Sequence, residues 1–512
     1  MHTTHSGTAD VLSIALVGLN AHTLHVHATV EGPAPLQILG LPEAQARETR
    51  IRVRSALQQV GVDVHAANIT VRLSPEDLPT SGALDLPIAV AVLGAVGRVS
   101  VEKLKNTVIL GELAFTGTVR PVRGVLPSLR GAVTQGATCA IVPKHNAREA
   151  ANVPGIRVLV ADHLADIVRH LGDGIPLESV SKPATFVPSS PSSDMADIGG
   201  VRSARRALEI AAAGGHHLLL IGPPGSGKTM LARRLAGILP PLTEDDALEA
   251  TAIHSVAGLL SPEVGIISTR PFRAPHHTVR AAGLVGGGDR ARPGEVSLAH
   301  RGVLFLDELL DFRHDALEAL RQAFDEGFVT IYGARRQVTF PARTLCVGAM
   351  SPCPCGYRGD ASGRCSCSPE RVKSYLACAE GPIFDGFDMR IFLPPVDVAE
   401  LAGAVPGESS SDVQKRVVTA RGVQAERQRR GEAPRTNAEL TPKELERFAA
   451  PDAIGANMVA EAVKRFSLSP GGCRRVLRLA RTIADLGGCD AVSASHVAEA
   501  IHVTNLPAAR RP

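Results

Sequence analysis

The chain has 512 residues, too many for one core and enough for about three domains. Its hydrophobic fraction of 44 % is ordinary for a globular protein, while three Tyr and no Trp exclude aromatic stacking as a widespread grip on bases or sugars. With 55 basic against 51 acidic residues and no long Lys/Arg tract, the charge permits nucleic-acid contact without arguing for it.

The opening run MHTTHSGTAD lacks a basic segment followed by an apolar stretch. No run reaches about 18 apolar residues, so neither a signal peptide nor a membrane span is expected. Nine Cys, four of them crowded between Cys353 and Cys367, are not a secreted disulfide framework. The expected compartment is the cytoplasm.

Residues 1–172 form the first expected unit. Short β-like runs (Val11 to Val17, Asn68 to Leu73, Thr107 to Leu110, Cys139 to Pro143) alternate with helical stretches such as Ala44 to Val60. The composition then changes. The stretch SKPATFVPSSPSSD at 181–194 has little to bury, and residues 173–196 are expected to be a linker. A second α/β unit is expected over 197–395 and a helical unit over 396–512.

The apolar run His217 to Ile221 enters Gly222-Pro-Pro-Gly-Ser-Gly-Lys-Thr229 and leaves through Met230 to Leu239, a good helix former. Strand, loop and helix satisfy G-x-x-x-x-G-K-[ST] at every fixed position. Gly222, Pro223, Pro224, Gly225, Ser226 and Gly227 shape a backbone that can curl its N–H groups round phosphates, at the positive end of a helix. Lys228 is expected to reach the β- and γ-phosphates of ATP, and the Thr229 hydroxyl to ligate Mg²⁺.

About 80 residues further on, a normal spacing, Val303-Leu-Phe-Leu-Asp-Glu308 offers the acidic partner. Four apolar residues of a buried strand end in Asp307, expected to support Mg²⁺, and Glu308, expected to polarise the attacking water. With Lys228, Glu308 completes the expected catalytic pair.

Taken with Arg270-Pro-Phe-Arg-Ala-Pro-His-His-Thr278, Gly286 to Gly288, Pro293 to His300 and Pro352-Cys-Pro-Cys-Gly356, these motifs resemble the ComM/YifB proteins, relatives of the magnesium-chelatase ATPase subunit within the AAA+ superfamily. The resemblance covers essentially the full length. Gly40-Leu-Pro-Glu43, Asp77-Leu-Pro79 and Asp85-Leu-Pro-Ile-Ala89 look like that family's N-terminal domain, and Ala480 to Asp485 like its helical C-terminal domain. The implied fold is an α/β multidomain chain: a Lon-protease-like, ribosomal-S5-like α+β domain, an AAA+ P-loop core and a helical lid. The implied assembly is a homo-hexameric ring that works with ATP and Mg²⁺ on single-stranded or branched DNA, beside a recombinase. Its implied role is branch migration during natural transformation. The first rival is a chelatase-type motor acting on a protein partner, and the second a non-hydrolysing ATP-binding assembly subunit.

A Lon-like fold raises proteolysis. The places for a Ser nucleophile, near Ser81 to Asp85, and its Lys partner, in Arg123 to Pro127, align with Leu84 and Leu126. Neither side chain can supply an oxygen nucleophile or an amine, so this domain is expected to be non-catalytic.

Three positions depart from the family pattern. Sensor 1, usually Asn, is Ser351; the arginine-finger place in Phe384-Asp-Gly-Phe-Asp388 holds Gly386, with Arg390 nearby; and the sensor 2 run Leu468-Ser-Pro-Gly471 has Gly, with Arg474 and Arg475 one turn on. Either hydrolysis is weak or Arg390 and Arg474 cover the missing roles.

Cys353, Cys355, Cys365 and Cys367 make C-x-C-x₉-C-x-C, four thiolates that can close a tetrahedral Zn²⁺ site, although C-x₂-C pairs are the commoner arrangement. The alternative is four reduced thiols in a loop; the other five Cys are expected in the core. His276 and His277 are expected to point apart. Gly283 to Gly288, followed by Arg290 and Arg292, is expected as a flexible pore-loop insert. Phe328 to Phe340 is expected as a hairpin with Arg335 and Arg336 at a basic tip. The Arg-rich stretch 416–430 is expected to be a solvated helix face.

Overall fold

The computed structural model describes residues 7–31, 36–64, 68–76, 78, 82–181, 186–189, 193–198, 201–288, 291–333, 336–359, 363–379, 381–395 and 407–504. Asp77, Pro79, Ser81, Arg290, Arg335 and parts of the 181–194 and 406–411 segments lie outside the described residues.

The N-terminal part is built on an eight-stranded sheet. Its order is Glu178–Val180, Arg157–Ala161, Cys139–Pro143, Thr107–Ile109, Thr8–Val17, Asn20–Val30, Ile69–Ser74 and Gln37–Leu39. Thr8–Val17 and Asn20–Val30 form one long antiparallel hairpin closed by Gly18-Leu19. Gly18 there has φ +65°, the left-handed conformation that a tight hairpin turn needs. Helix Glu43–Gln59 buries Ala46, Thr49, Val53, Ala56 and Leu57, a three- and four-residue spacing that makes one apolar stripe. Helix Asp85–Ala95 is apolar on all sides and sits inside the core.

Two edges of this domain differ from expectation. The sheet continues past residue 172, because Glu178–Val180 pairs antiparallel with Arg157–Ala161. That edge strand is mostly exposed, so its composition carries no hydrophobic signal. The end of the expected linker is also anchored: Met195 is fully buried, and its backbone N–H donates to the Ser410 hydroxyl.

The central unit holds a five-stranded parallel sheet in the order Phe272–Arg273, Val303–Leu306, Leu345–Met350, Leu218–Ile221, Met389–Phe392. The three middle strands are buried on both faces, which is why they read as continuous apolar runs. Helices Arg202–Gly214 and Lys228–Ile238 cover one face. Leu284, Phe312, Ala316 and Leu320 cover the other.

The C-terminal unit is helical: Ser410–Arg429, Pro442–Phe448, Ala453–Phe466, Pro470–Leu486 and Ala494–Thr504. A buried polar network joins it to the sheet. His216, just before the strand Leu218–Ile221, shares a 2.8 Å hydrogen bond with the Thr482 hydroxyl, and the Asn437 amide donates to Thr482 and Asp485. The Arg481 guanidinium, almost fully buried, donates to the carbonyls of Phe448 and Asp490. Such a network is stabilising only when every member is satisfied, and it fixes one docking of helices on sheet.

Several local expectations are corrected. The Arg-rich helix is no simple solvated face: Arg416 pairs with Glu209 and Glu408, Arg421 donates to the Ala212 carbonyl, and Arg427 pairs with Asp485. The glycine-rich insert is a short helix, Ala281–Val285, followed by Gly286–Gly287 paired with Arg292–Pro293. Strands Phe328–Tyr332 and Gln337–Pro341 form the expected hairpin. Its Ile331, Val338 and Phe340 pack against Val17 and Leu19 of the N-terminal domain, so its base is a domain contact. Of the five cysteines expected in the core, Cys346 is buried, whereas Cys378 and Cys489 are exposed.

Candidate nucleotide site and cysteine cluster

The parallel sheet brings the acidic motif and the glycine-rich loop to one end of its strands. Leu345–Met350 lies between Val303–Leu306 and Leu218–Ile221, with Leu306 beside Gly348 and Met350 beside Ile221. The loop from Gly222 and the acids Asp307 and Glu308 therefore leave the sheet at the same end. Ser351 emerges between them, and the Gly222 N–H donates to the Met350 carbonyl.

The loop geometry fits a phosphate. Gly225 and Gly227 have φ +79° and +82°, where a side chain is strained. The helix Lys228–Ile238 has no side-chain cap at its start, so its first N–H groups have no side-chain acceptor. The Ser226 hydroxyl is buried with no hydrogen-bond partner among the described residues, an orphan tucked inside the loop beside Gly222. The Lys228 ammonium donates to the carbonyls of Gly222 (2.7 Å) and Pro223 (2.9 Å). Burial lowers its pKa, and the charges of Asp307 and Glu308 oppose that shift. The Thr229 hydroxyl donates to Asp307 at 3.0 Å. Two oxygens held together at the head of the helix are the donor set a hard divalent cation takes.

Glu308 is the strained residue of the site, with a left-handed backbone (φ 53°). Its carboxylate lies 3.4 Å from the His277 Nδ1. The rings of His276 and His277 lie against each other, centroids 4.1 Å apart and planes tilted by 34°, instead of pointing apart as expected. Sequence reasoning missed His277 as a partner of Glu308. No local pattern pointed to it: the strand Phe272–Arg273 before it pairs with Val303–Leu306, the strand that leads into Asp307.

Three family models match in chain order: "Subunit ChlI of Mg-chelatase" over residues 25–146, "Magnesium chelatase, subunit ChlI" over 194–401, and "Magnesium chelatase, subunit ChlI C-terminal" over 407–504. YifB of Escherichia coli is 40 % identical over 492 residues, covering 95 % of each chain. Competence protein ComM of Haemophilus influenzae is 40 % identical over 503 residues, covering 96 % of each. The chain belongs to the ComM/YifB family.

It is a mixed α/β multidomain member, with magnesium-chelatase-type AAA+ domains and a helical C-terminal domain. Among the described residues no helix is long and apolar enough to cross a membrane. In this ComM/YifB chain Leu84 and Leu126 are both buried.

Gly386 and the arginines expected to serve it or sensor 2, Arg390, Arg474 and Arg475, fall away from the P-loop of their own chain. Gly386, Arg474 and Arg475 line one cavity of about 1390 Å³ together with Gly215 and His217, which precede the P-loop strand. That cavity is therefore at the opposite end of the sheet from Gly222. Arg475 donates to the carbonyls of Asp385 (2.7 Å) and Phe387 (3.4 Å), on either side of Gly386. Arg390 lies in register with Leu219, low on the strand, and donates to the Phe384 carbonyl. Neither Arg390 nor Arg474 reaches the phosphate loop from within one chain.

The four clustered thiols converge. The sulfurs of Cys353, Cys355, Cys365 and Cys367 all lie within 4.8 Å of one another. The backbone N–H of Tyr357 and the neighbouring thiols hold the Cys355 thiol down to about 6.

Proposed function

We propose that this chain is the subunit of an ATP-driven AAA+ ring motor acting on DNA, in the manner of a helicase that promotes branch migration when incoming single strands recombine. The relative named a competence protein, matched over nearly its whole length, supports that direction. The observation that carries the motor reading is the Thr229–Asp307 contact beside an uncapped helix start and an orphaned Ser226 hydroxyl.

Bound Mg·ATP supplies the phosphoanhydride whose cleavage drives the ring. The backbone N–H groups of residues 225–229 cradle the phosphates, and Lys228 exchanges two loop carbonyls for phosphate oxygens. Thr229 and Asp307 would hold Mg²⁺, which would supply positive charge at the phosphates; Glu308 is placed to take the proton of the attacking water, and Ser351 offers a hydroxyl between the two motifs. In a homo-hexamer the cavity edge around Gly386 presents Arg474 to the neighbouring subunit. The N-terminal domain, Lon-like by resemblance, is a non-catalytic DNA or assembly module. The linker ends in an anchored segment, the chain works in the cytoplasm, and a recombinase is the expected helper.

A second reading, an ATP-binding assembly subunit with weak hydrolysis, is favoured by Gly386 and Ser351 where the family pattern has Arg and Asn. A third, a chelatase-type remodeller of a protein partner, rests on the family models alone. Steady-state ATP turnover measured alone, with single-stranded DNA and with branched DNA separates them. Stimulation by DNA supports the motor. Turnover indifferent to DNA points to a protein client, and no turnover points to the assembly subunit.

A further inference from the structure

We propose that Cys353, Cys355, Cys365 and Cys367 bind one Zn²⁺, and that this metal knuckle holds the phosphate-binding loop in its nucleotide-ready shape. The sulfur separations carry the first half. Cys353 to Cys355 is 3.4 Å, Cys355 to Cys365 is 3.6 Å and Cys353 to Cys365 is 3.8 Å. Zinc–thiolate bonds of about 2.3 Å in a tetrahedron place sulfurs about 3.8 Å apart. A disulfide would need about 2.05 Å, so the separations suit an ion shared by four ligands and not two bonded pairs.

The chain is built to hold that spacing. A single residue between ligands ordinarily splays the two sulfurs. Here Gly356, with φ +85°, donates its N–H to the Cys353 carbonyl and folds the first pair into a turn. Arg364 stacks on Tyr357, 4.4 Å from the ring centroid, which ties the start of the second pair back to the first. One residue after Cys367, the Ser368 hydroxyl caps the helix Pro369–Ala377. The described residues on both sides of 360–362 are thus tied down at Gly356, Tyr357 and Ser368. Cys353 is fully buried, so its thiolate would be costly without a cation.

The second half rests on contact. A Cβ built on Gly356 would lie 3.0 Å from Cδ and 3.2 Å from Cγ of Pro224, and 3.7 Å from the Ser351 hydroxyl. The back of the metal turn therefore abuts the crest of the P-loop and the sensor position together. A bound ion would tie both cysteine pairs to that wall through Cys353 and Cys355. The metal acts as a support and not as a reactant: Zn²⁺ has no redox chemistry, and four protein ligands leave no open position for a substrate.

This coupling rests on the P-loop binding ATP; the metal site does not, so the two are measured separately. Elemental analysis of the full-length protein, purified without added metal, should give one zinc per chain, with the four thiols unreactive until a chelator is added. Substitution by Co²⁺ should give the visible bands of a tetrathiolate. Binding of a fluorescent ATP analogue, with Mg²⁺ in excess, should weaken about tenfold on zinc removal and recover when zinc returns, because the loop must then be ordered at the cost of binding. Gly356→Ala should keep its zinc and lose nucleotide affinity by a similar factor, which decides the matter if the zinc-free chain unfolds. No metal, iron in place of zinc, or two disulfides would overturn the site. Unchanged affinity in folded zinc-free protein, or in the zinc-loaded Gly356→Ala variant, would overturn the coupling. If the wild type binds one zinc but no ATP, the nucleotide reading and the coupling fall and the metal site stands.

Discussion

The His277 imidazole holds its Nδ1 3.4 Å from the Glu308 carboxylate, across from the Thr229–Asp307 pair. Glu308 sits on a left-handed backbone and is largely exposed, so the imidazole is what restrains its side chain. A carboxylate that must meet a water at one angle loses rate when it can swing. His277→Ala is expected to lower kcat by about tenfold with KM for ATP unchanged, and His277→Asn to restore part of it. Glu308→Gln should lower kcat by about 10² or more with ATP binding retained. Steady-state kinetics settles it: a rise in KM with kcat intact would assign His277 to nucleotide binding instead.

Lys228 is bound to two loop carbonyls that water can also satisfy, so replacing it should leave folding nearly untouched. On the proposed function its charge acts at the phosphates. Lys228→Ala should reduce ATP affinity by about 10² at constant melting temperature, as a charge-assisted contact worth roughly 3 kcal/mol would. Isothermal titration beside thermal unfolding tests this pair of outcomes. A large drop in melting temperature would place Lys228 in the fold and not in the site.

The phosphate loop was legible because every fixed position of its motif is a local requirement of backbone and charge, and because Leu218–Ile221 and Val303–Leu306 are buried on both faces. The long strand Asn20–Val30 was not. Its buried Leu24, Val26 and Ala28 alternate with His25 and His27, and Asn20, His22 and Thr23 dilute the apolar count at its start. The edge strand Glu178–Val180 was hidden by exposure. The partnership of His277 with Glu308 depends on two strands meeting in a sheet, a long-range fact that no local pattern encodes. The same holds for Arg474, whose spacing from Leu468 suggests a cis sensor, whereas the helix Pro470–Leu486 docks at the far end of the sheet.

Arg474 is exposed, lines the same cavity as Gly386, and among the described residues makes no hydrogen bond or ion pair. Arg475 is already committed to the carbonyls beside Gly386. In the proposed ring, an exposed cation beside the vacant finger position is the candidate to act on a neighbour's nucleotide. In the DNA-bound ring, Arg474→Ala should lower turnover by about 10³ without changing ATP affinity, and adding Gly386→Arg should recover a substantial part. Arg390→Ala should have a small effect, since that side chain is turned back onto the Phe384 carbonyl. If Arg474→Ala turns over like the wild type, the cavity edge contributes nothing to hydrolysis.

His300 links the core helix Glu244–Ala257 to the turn before the strand Val303–Leu306, and it does so as a neutral ring. Its Nδ1 accepts the Arg343 backbone N–H at 3.0 Å, so the proton is on Nε2, which donates to Glu249 at 3.1 Å. Burial lowers the His300 pKa, and Glu249 opposes that shift without reversing it. The hydrogen bond from His300, helped by Arg301, brings Glu249 from 4.5 to about 2. Both groups act in one direction. A depressed carboxylate stabilises fully above its unfolded value of 4.5, and that stability is lost as pH falls toward about 2. A depressed imidazole leaves the unfolded chain holding more protons below 6.5, which also favours unfolding in acid. Glu249→Gln should cost about 1 kcal/mol at pH 7, discounted for the half-exposed position of the carboxylate. That difference should shrink once the pH drops below 4.5, where the wild-type carboxylate begins to lose its advantage. Urea unfolding of both proteins from pH 7 downward reads it directly, and a difference constant through the acid range would show that the Glu249 charge does not stabilise the fold.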